Sequence, residues 1–100
     1  MAPAKLLYHR KHTYPDGSVV EMIIWQLSKP SAERPHGLKY SLHCGYTDGT
    51  LIVRYDNEQG KGDHRHFKGV EEPYLFNDVD TLVADFIRDI EEGKRTGRKP

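Results

Sequence analysis

The centre of the chain runs YDNEQGKGDHRH from Tyr55 to His66, and this stretch decides how the strands around it are arranged. Two glycines separate a polar strand end from a second polar run. Glycine accepts backbone conformations with positive φ, so the middle of the stretch favours a tight turn. We therefore predict a hairpin in which Tyr55 and Asp56 face the residues from His64 to His66 across the turn.

The sequence on either side of that hairpin predicts further antiparallel strands. In the segment 38–46, apolar residues alternate with polar ones, which is typical of a strand with one buried face. The segment 19–27 is the most apolar and is rich in β-branched residues, so we predict a central strand buried on both faces, with Trp25 in the core. The turn sequences PDG and TDG close two hairpins, and the proline-containing segment 28–37 is predicted to be a loop. The predicted strands are 6–14, 19–27, 38–46, 50–56 and 63–68.

An amphipathic helix near the end of the chain is the clearest single element. Its apolar residues recur at spacings of three and four: Val79, Leu82, Val83, Phe86 and Ile90. Asn77 or Asp78 can cap its N-terminus, and Gly93 is a typical stop. We predict a helix at about 78–92 and a basic tail at 93–100 that is frayed from Thr96 onwards. The predicted fold class is α+β: an antiparallel meander of about five strands at 5–69, with the C-terminal helix packed on one face in two layers.

Composition indicates a single domain spanning residues 1–100. The chain has 100 residues, 15 of them basic and 15 acidic, for a formal net charge of zero. No stretch approaches the roughly 18 apolar residues that span a bilayer, and the first residues lack the apolar segment of a signal peptide. The single cysteine, Cys44, cannot form an internal disulfide. We expect a cytoplasmic protein with no membrane partner, whose basic residues around the central run permit binding to phosphate on one face.

His64 and His66 are the first candidates for chemistry. Residues two apart on a strand point to the same side, with roughly 6.5–7 Å between them along the backbone. Two imidazoles at that spacing can stand on either side of a phosphodiester, one as base and one as acid, because histidine titrates near neutral pH. These are the parts of a metal-independent ribonuclease that uses the RNA 2′-hydroxyl as nucleophile. The alternative is that both rings simply face water on a polar strand.

Four neighbouring residues can support the two histidines. Lys61 in the glycine-flanked turn and Arg65 between the histidines can neutralise charge that develops on the phosphate. Tyr55 and Asp56, at the preceding strand end, can orient a histidine or a ribose. Together with His64 and His66 they form the candidate catalytic set.

A metal site is the second interpretation of the same residues. Asp63, His64 and His66 offer nitrogen and oxygen ligands, and His43 or Asp56 can complete the set. Strand alternation places Asp63 on the face opposite His64, which disfavours a cluster of three ligands. We therefore expect no metal and no cofactor.

The central run also resembles the signature of the TumE family, small toxins of bacterial toxin–antitoxin pairs. The resemblance extends from about Leu38, through the sequence EEPY at 71–74, to the helix around LVADF at 82–86. It implies a cytoplasmic toxin that inhibits growth, paired with a helix-turn-helix antitoxin. Ribonuclease activity, with RNA as substrate, is expected by analogy with other small toxins. The matching motif positions are Lys61, Asp63, His64, Arg65 and His66, and this resemblance adds Asp63 to the candidate catalytic set.

Three functional hypotheses therefore stand beside one another. The first is a toxin that cleaves RNA through its histidines without a metal. The second is a binding module without catalysis that docks RNA or protein on the free sheet face. The third is a metal-dependent nuclease.

Overall fold

A computed structural model of the chain describes residues 4–32, 34–58, 60 and 62–97. Its strands form one antiparallel sheet in which each strand pairs with the next along the chain. Within this described part of the chain, one helix follows the sheet. The elements are β1 Lys5–Thr13, β2 Val19–Gln26, β3 Leu38–Gly45, β4 Leu51–Asp56, β5 His64–Phe67, β6 Val70–Pro73 and α1 Val79–Gly97. The predicted α+β meander with a C-terminal helix is confirmed, with six strands where about five were predicted.

The core lies between one face of the sheet and α1. Alternate residues of the central strands point towards the helix, as period two requires. The buried apolar side chains of β2 and β3 are Val20, Met22, Ile24, Tyr40, Leu42 and Cys44. They pack with Val53 and Tyr55 of β4 and with Leu82, Phe86 and Ile90 of α1. The apolar stripe predicted for the helix is therefore its core-facing side.

The prediction that β2 is buried on both faces is wrong. Only alternate residues of β2 are buried, and Trp25, which was predicted to lie in the core, is partly exposed. The reason is that α1 covers one face of the sheet, so the β2 residues between the core positions lie on the face that α1 does not cover. We call this uncovered side the open face of the sheet.

The sixth strand arises from a turn at Lys68 and Gly69. Both residues have positive φ, 53° and 77°, the combination that a two-residue type I′ hairpin turn requires. Phe67 pairs with Val70 directly across it. Gly69 therefore lies in a hairpin turn that continues the sheet, whereas the last predicted strand ended at residue 68. The consequence for function is that β6 brings Glu71 beside the histidines of β5.

The helix is longer than predicted. Asp78 caps it, with Oδ1 accepting a hydrogen bond from the Thr81 amide at 2.7 Å, but it continues to Gly97. The predicted stop at Gly93 is wrong, and so is the predicted fraying at residues 96 and 97. Residues 98–100 lie outside the described part of the chain. A Cβ at Gly93 would lie 2.8 Å from Ile52 Cγ2 and 3.2 Å from Phe67 Cε1. Glycine is thus needed here because the helix lies close against the sheet. Within the described residues, no helix is long and apolar enough to cross a membrane.

Candidate functional site

The hairpin of β4 and β5 assembles a polar cluster on the open face. Its register pairs Asp56 with His64 and Arg54 with His66, which confirms the predicted arrangement of Asp56 opposite the histidines. The next pairing, between β5 and β6, sets Glu71 opposite His66. Directly paired residues share a face, so these five side chains converge. We call Arg54, Asp56, His64, His66 and Glu71 the open-face cluster.

His64 is the buried member of the pair of histidines, with 7% of its side chain exposed. Its Nδ1 lies 3.0 Å from the Gly62 carbonyl oxygen. Its Nε2 lies 2.6 Å from Asp56 Oδ1 and 3.3 Å from Glu71 Oε2. Both ring nitrogens therefore lie close to oxygen atoms, and Nδ1 is the one that makes an aligned hydrogen bond.

His66 is more accessible, with 24% of its side chain exposed. Its Nε2 lies 3.1 Å from Glu71 Oε2 and 3.1 Å from Arg54 Nη2. The rings of His64 and His66 are 5.4 Å apart between centroids. One Glu71 oxygen is thus held between the Nε2 atoms of two imidazoles, with a guanidinium alongside.

Two atoms of the cluster retain hydrogen-bonding capacity. Arg54 Nε lies 3.2 Å from Asp56 Oδ2, yet Arg54 Nε and Asp56 Oδ1 are buried and make no well-directed hydrogen bond within the described chain. The close approach of His64 Nε2 to Asp56 Oδ1 is a charge contact that is not aligned as a hydrogen bond. Buried polar atoms in this condition are uncommon and often mark functional sites.

Arg54 also affects its neighbour on β3. His43 lies directly opposite Arg54 in the sheet. Burial, and then the positive charge of Arg54, lower the pKa of His43. His43 therefore stays neutral at neutral pH and extends the polar surface of the cluster without adding charge.

The same region contains a set of donors that can hold a metal ion. Ligand atoms of His64, His66 and Glu71 all lie within 4.8 Å of one another. Imidazole nitrogen and carboxylate oxygen together suit zinc and similar divalent ions. Of the metal ligands considered from the sequence, His64 and His66 belong to this set, whereas Asp63 points elsewhere.

Tyr55 and Arg65, both predicted site residues, lie on the helix side of the sheet. The Tyr55 hydroxyl donates a hydrogen bond to Asp89 Oδ2, and Arg65 Nε donates to the same oxygen at 2.8 Å. Arg65 Nη1 also reaches Glu72 Oε1 at 2.6 Å. Burial and then the carboxylate of Asp89 raise the pKa of Tyr55 well above its usual range. The structure therefore separates these two residues from the histidines.

Asp63 and Lys61 complete the predicted set. Asp63 pairs with His36, whose Nε2 lies 3.0 Å from Asp63 Oδ2, so it ties the loop at 28–37 to the hairpin. Arg34 of the same loop donates two hydrogen bonds to the Asn57 carbonyl oxygen, at 2.7 and 3.0 Å. Lys61 lies outside the described residues.

Sequence reasoning missed two members of the cluster, Arg54 and Glu71. Arg54 could have been found from alternation, since it lies two residues before Asp56 on the same predicted strand. Glu71 could have been found only by predicting a two-residue hairpin turn at Lys68 and Gly69, which continues the sheet instead of ending it.

Two cavities adjoin the cluster on the open face. One, of about 370 Å³, is lined by Asp63, His64, Glu71, Glu72 and Pro73. The other, of about 490 Å³, extends from Asp56 across β3 and β2, where Trp25, Lys39 and Arg34 contribute to its walls. The first cavity therefore gives access to the buried ring of His64. The second cavity is lined by cationic and aromatic side chains.

Comparison with known proteins identifies the family. A family model described as Toxin TumE matches residues 3–94. No curated protein and no solved structure shows a significant match. Because the match covers nearly the whole chain, this protein belongs to the TumE toxin family.

Proposed function

We propose that this chain is a ribonuclease toxin that cleaves RNA through the open-face cluster without a metal ion. Membership in the TumE family implies a toxin of a toxin–antitoxin system. The observation that supports the chemistry is the placement of two imidazoles, 5.4 Å apart between centroids, beside a guanidinium on a partly exposed sheet face. Paired proton donors and acceptors with a nearby cation are what cleavage by the 2′-hydroxyl requires.

The Glu71 carboxylate marks where a phosphate group would bind. Its Oε2 lies 3.3 Å from His64 Nε2 and 3.1 Å from His66 Nε2. Because Glu71 is half-exposed on the short edge strand β6, an RNA phosphate can displace it. A phosphate oxygen in its place would meet the same two imidazoles, with Arg54 beside them.

The division of roles follows from the contacts of each ring. His64, with oxygen atoms close to both nitrogens, is assigned as the acid, and the more exposed His66 as the base. His66 Nε2 takes the proton from the 2′-hydroxyl, and the 2′-oxygen attacks phosphorus. The bond to the 5′-oxygen breaks, and that oxygen leaves with the proton from His64 Nε2. The products are a 2′,3′-cyclic phosphate and a 5′-hydroxyl, and Arg54 stabilises the charge that develops on the phosphate.

The surface beside the cluster suits a single RNA strand. Trp25 offers an aromatic face for a base, and Lys39 and Arg34 are cations along the same cavity. Stacking on aromatic side chains together with cations along the backbone is the usual means of binding single strands. Glu58 also lines this cavity, and its negative charge offsets part of the attraction between the cations and RNA. We therefore expect stacking to contribute to RNA affinity as much as charge does.

The test is cleavage of RNA by purified protein that is free of antitoxin. His66→Ala and His64→Ala should each reduce the cleavage rate by about 100-fold or more, the typical contribution of general acid–base catalysis. His12→Ala, an exposed histidine on β1, is the matched control and should cleave at the rate of the unmodified protein. Growth arrest on induction without any RNA cleavage, or full cleavage by His66→Ala, would overturn the proposal.

A chelator separates this mechanism from a metal-dependent nuclease. EDTA should leave the cleavage rate unchanged, because proton transfer by histidine needs no metal ion. Loss of cleavage in EDTA, with recovery on adding zinc, would instead indicate that His64, His66 and Glu71 bind a catalytic metal.

The antitoxin is the partner that the toxin family implies. We propose that it is a helix-turn-helix protein and that the pair acts in the cytoplasm, where RNA is accessible. A small reading frame of that class beside the gene, whose product restores growth and co-purifies with this chain, is the expected result.

A further inference from the structure

Among the residues that the structure describes, no strand pairs with the outer edge of β1. The strand pairs with β2 on one side, and in the strand order that the structure describes it is the outermost strand. Its residues from Lys5 to Thr13 are exposed, except for a partly buried Tyr8. Nine residues of edge strand present a row of backbone donors and acceptors, which is a template for pairing with another strand.

The charge of this edge is strongly one-sided. The sequence KLLYHRKHT of β1 contains Lys5, Arg10 and Lys11 and no acidic residue. The nearest acidic residue on β2, Glu21, is already paired with His9 at 3.0 Å. A strand carrying glutamate or aspartate would therefore meet opposite charges on β1.

An apolar cavity lies beside the same edge. It has a volume of about 370 Å³ and is lined by Leu7, Tyr8, Ile24, Val79, Asp80 and Val83. Leu6 and Leu7 are each 46% exposed, and the register with β2 shifts at this point. A large apolar side chain from an added strand can fill this cavity, and Asp80 is the acidic residue at its wall.

A second copy of this chain is a poor occupant of the edge. Pairing β1 with β1 would set three cations against three, and like charges across strands are destabilising. Lysines and a bulge on an edge strand are also the means by which proteins discourage self-pairing. The cations that oppose a second copy are the ones that favour an acidic partner.

We propose that β1 is the docking edge for an extended, acidic segment of the antitoxin, which adds to the sheet as a further strand. Backbone hydrogen bonds would supply affinity, and an apolar side chain in the cavity beside Leu7 would supply specificity, as in other cases of strand addition. This proposal rests on the toxin function of the family. It does not depend on the ribonuclease chemistry, because β1 lies at the opposite edge of the sheet from β6 and Glu71.

The test uses the purified pair of this chain and its antitoxin. Arg10→Glu/Lys11→Glu should weaken antitoxin binding by at least about tenfold and reduce its dependence on salt, since charge pairs at a surface are screened. Lys39→Glu/Arg95→Glu, an equal change of charge on the open face and near the helix end, is the control and should bind as the unmodified chain does. Leu7→Asp, which places a charge in the apolar cavity wall, should also weaken binding.

Hydrogen exchange on the same complex supplies a second readout. Amides of β1 that point away from β2 should exchange quickly in the free toxin and slowly in the complex. Equal exchange in both states, or equal binding by the β1 variant and the control, would overturn the proposal. So would protection of β1 by self-association or by RNA in the absence of antitoxin, since either would identify a different occupant.

The β1 variant also separates the two proposals. Free of antitoxin, Arg10→Glu/Lys11→Glu should cleave RNA at the normal rate. If no form of the protein cleaves RNA, the ribonuclease proposal fails, while the binding and exchange results still decide the role of β1.

Discussion

The two faces of the β4–β5 hairpin use neighbouring residues for different purposes. On the open face, Asp56 and His64 are buried beside His66, whose side chain is 24% exposed. On the helix side, Tyr55 and Arg65 both bind Asp89, whose side chain is only 4% exposed. Residues adjacent in sequence thus belong to separate networks, because successive residues of a strand point to opposite faces. A motif that looks continuous in the sequence is divided by the fold into a candidate site and a structural contact.

The difference in exposure between His66 and the buried helix-side network predicts a difference in energetics. Removing one partner from a buried charge network leaves an uncompensated charge and is strongly destabilising, whereas ion pairs near the surface contribute little to stability. Variants on the helix side should therefore lower the free energy of unfolding. Variants at the accessible positions of the open face should reduce cleavage.

The largest expected effect is on stability, from Asp89→Ala. It leaves Arg65 and the Tyr55 hydroxyl without their shared acceptor, and should lower the free energy of unfolding by about 3–5 kcal/mol. Urea denaturation measures the change. Arg88→Ala, an exposed arginine near Asp89, is the control and should cost less than about 0.5 kcal/mol. A small loss for Asp89→Ala would mean that the helix-side network does not stabilise the fold.

The two arginines of the hairpin should give opposite results in the cleavage assay. Arg54→Ala removes the cation beside His66 and should reduce RNA cleavage by about 100-fold. Because it also leaves the buried Asp56 without its ion-pair partner, cleavage is measured at a temperature where the variant remains folded. Arg65→Ala should destabilise the protein and, at a temperature where it remains folded, cleave at the normal rate. If Arg65→Ala abolished cleavage in the folded protein while Arg54→Ala did not, the assignment of the faces would be reversed.

Gly93→Ala tests how closely the helix lies against the sheet. Alanine favours a helix interior over glycine by about 1 kcal/mol, but here its Cβ would collide with Ile52 Cγ2 at 2.8 Å. Overpacking of this kind costs about 1–3 kcal/mol, so we expect a net loss of stability in thermal or urea denaturation. A gain in stability would show that the contact relaxes freely.

The smallest effect concerns Asp16, in the turn between β1 and β2. Hydrogen bonds from the Ser18 hydroxyl and amide lower the pKa of Asp16 to about 2, and Lys94 Nζ lies 3.1 Å away. A carboxyl with a lowered pKa stabilises the fold above its unfolded pKa of about 3.9, and that contribution disappears as the pH falls towards 2. Asp16→Asn should therefore lower the urea midpoint at pH 7, with the gap closing between about pH 4 and pH 2.

The control for that titration is Glu91→Gln, an exposed carboxylate on α1. It should show no gap that depends on pH over the same range. A constant gap for Asp16→Asn down to pH 2 would mean that its contribution does not come from the charged carboxylate.

The sequence predicted those features that depend on local pattern. Alternation in the segment 38–46 and the apolar stripe around Phe86 each specify one buried face, so the sheet and the helix followed. The pairing of Asp56 with His64 followed from a short turn between two strands. Each of these requires only residues that are near one another in the sequence.

The features that were missed depend on contacts between distant segments. Glycine is typical of the end of a helix, but Gly93 lies inside the helix because Ile52, forty-one positions earlier, lies too close for a larger side chain. Trp25 is a large apolar residue in an apolar segment, which is typical of a core position. Its exposure depends on which face of the sheet the helix covers. Glu71 enters the site only because a two-residue turn folds β6 back onto β5.

The most direct test of the division between the two faces compares two variants, His66→Ala on the open face and Tyr55→Phe on the helix side. For each protein, free of antitoxin, both the RNA cleavage rate and the free energy of unfolding are determined. We predict that His66→Ala loses about 100-fold or more in cleavage with unfolding changed by less than about 0.5 kcal/mol. Tyr55→Phe should lose about 1–3 kcal/mol of stability and cleave RNA at the normal rate. Normal cleavage by His66→Ala, or loss of cleavage by folded Tyr55→Phe, would contradict the account.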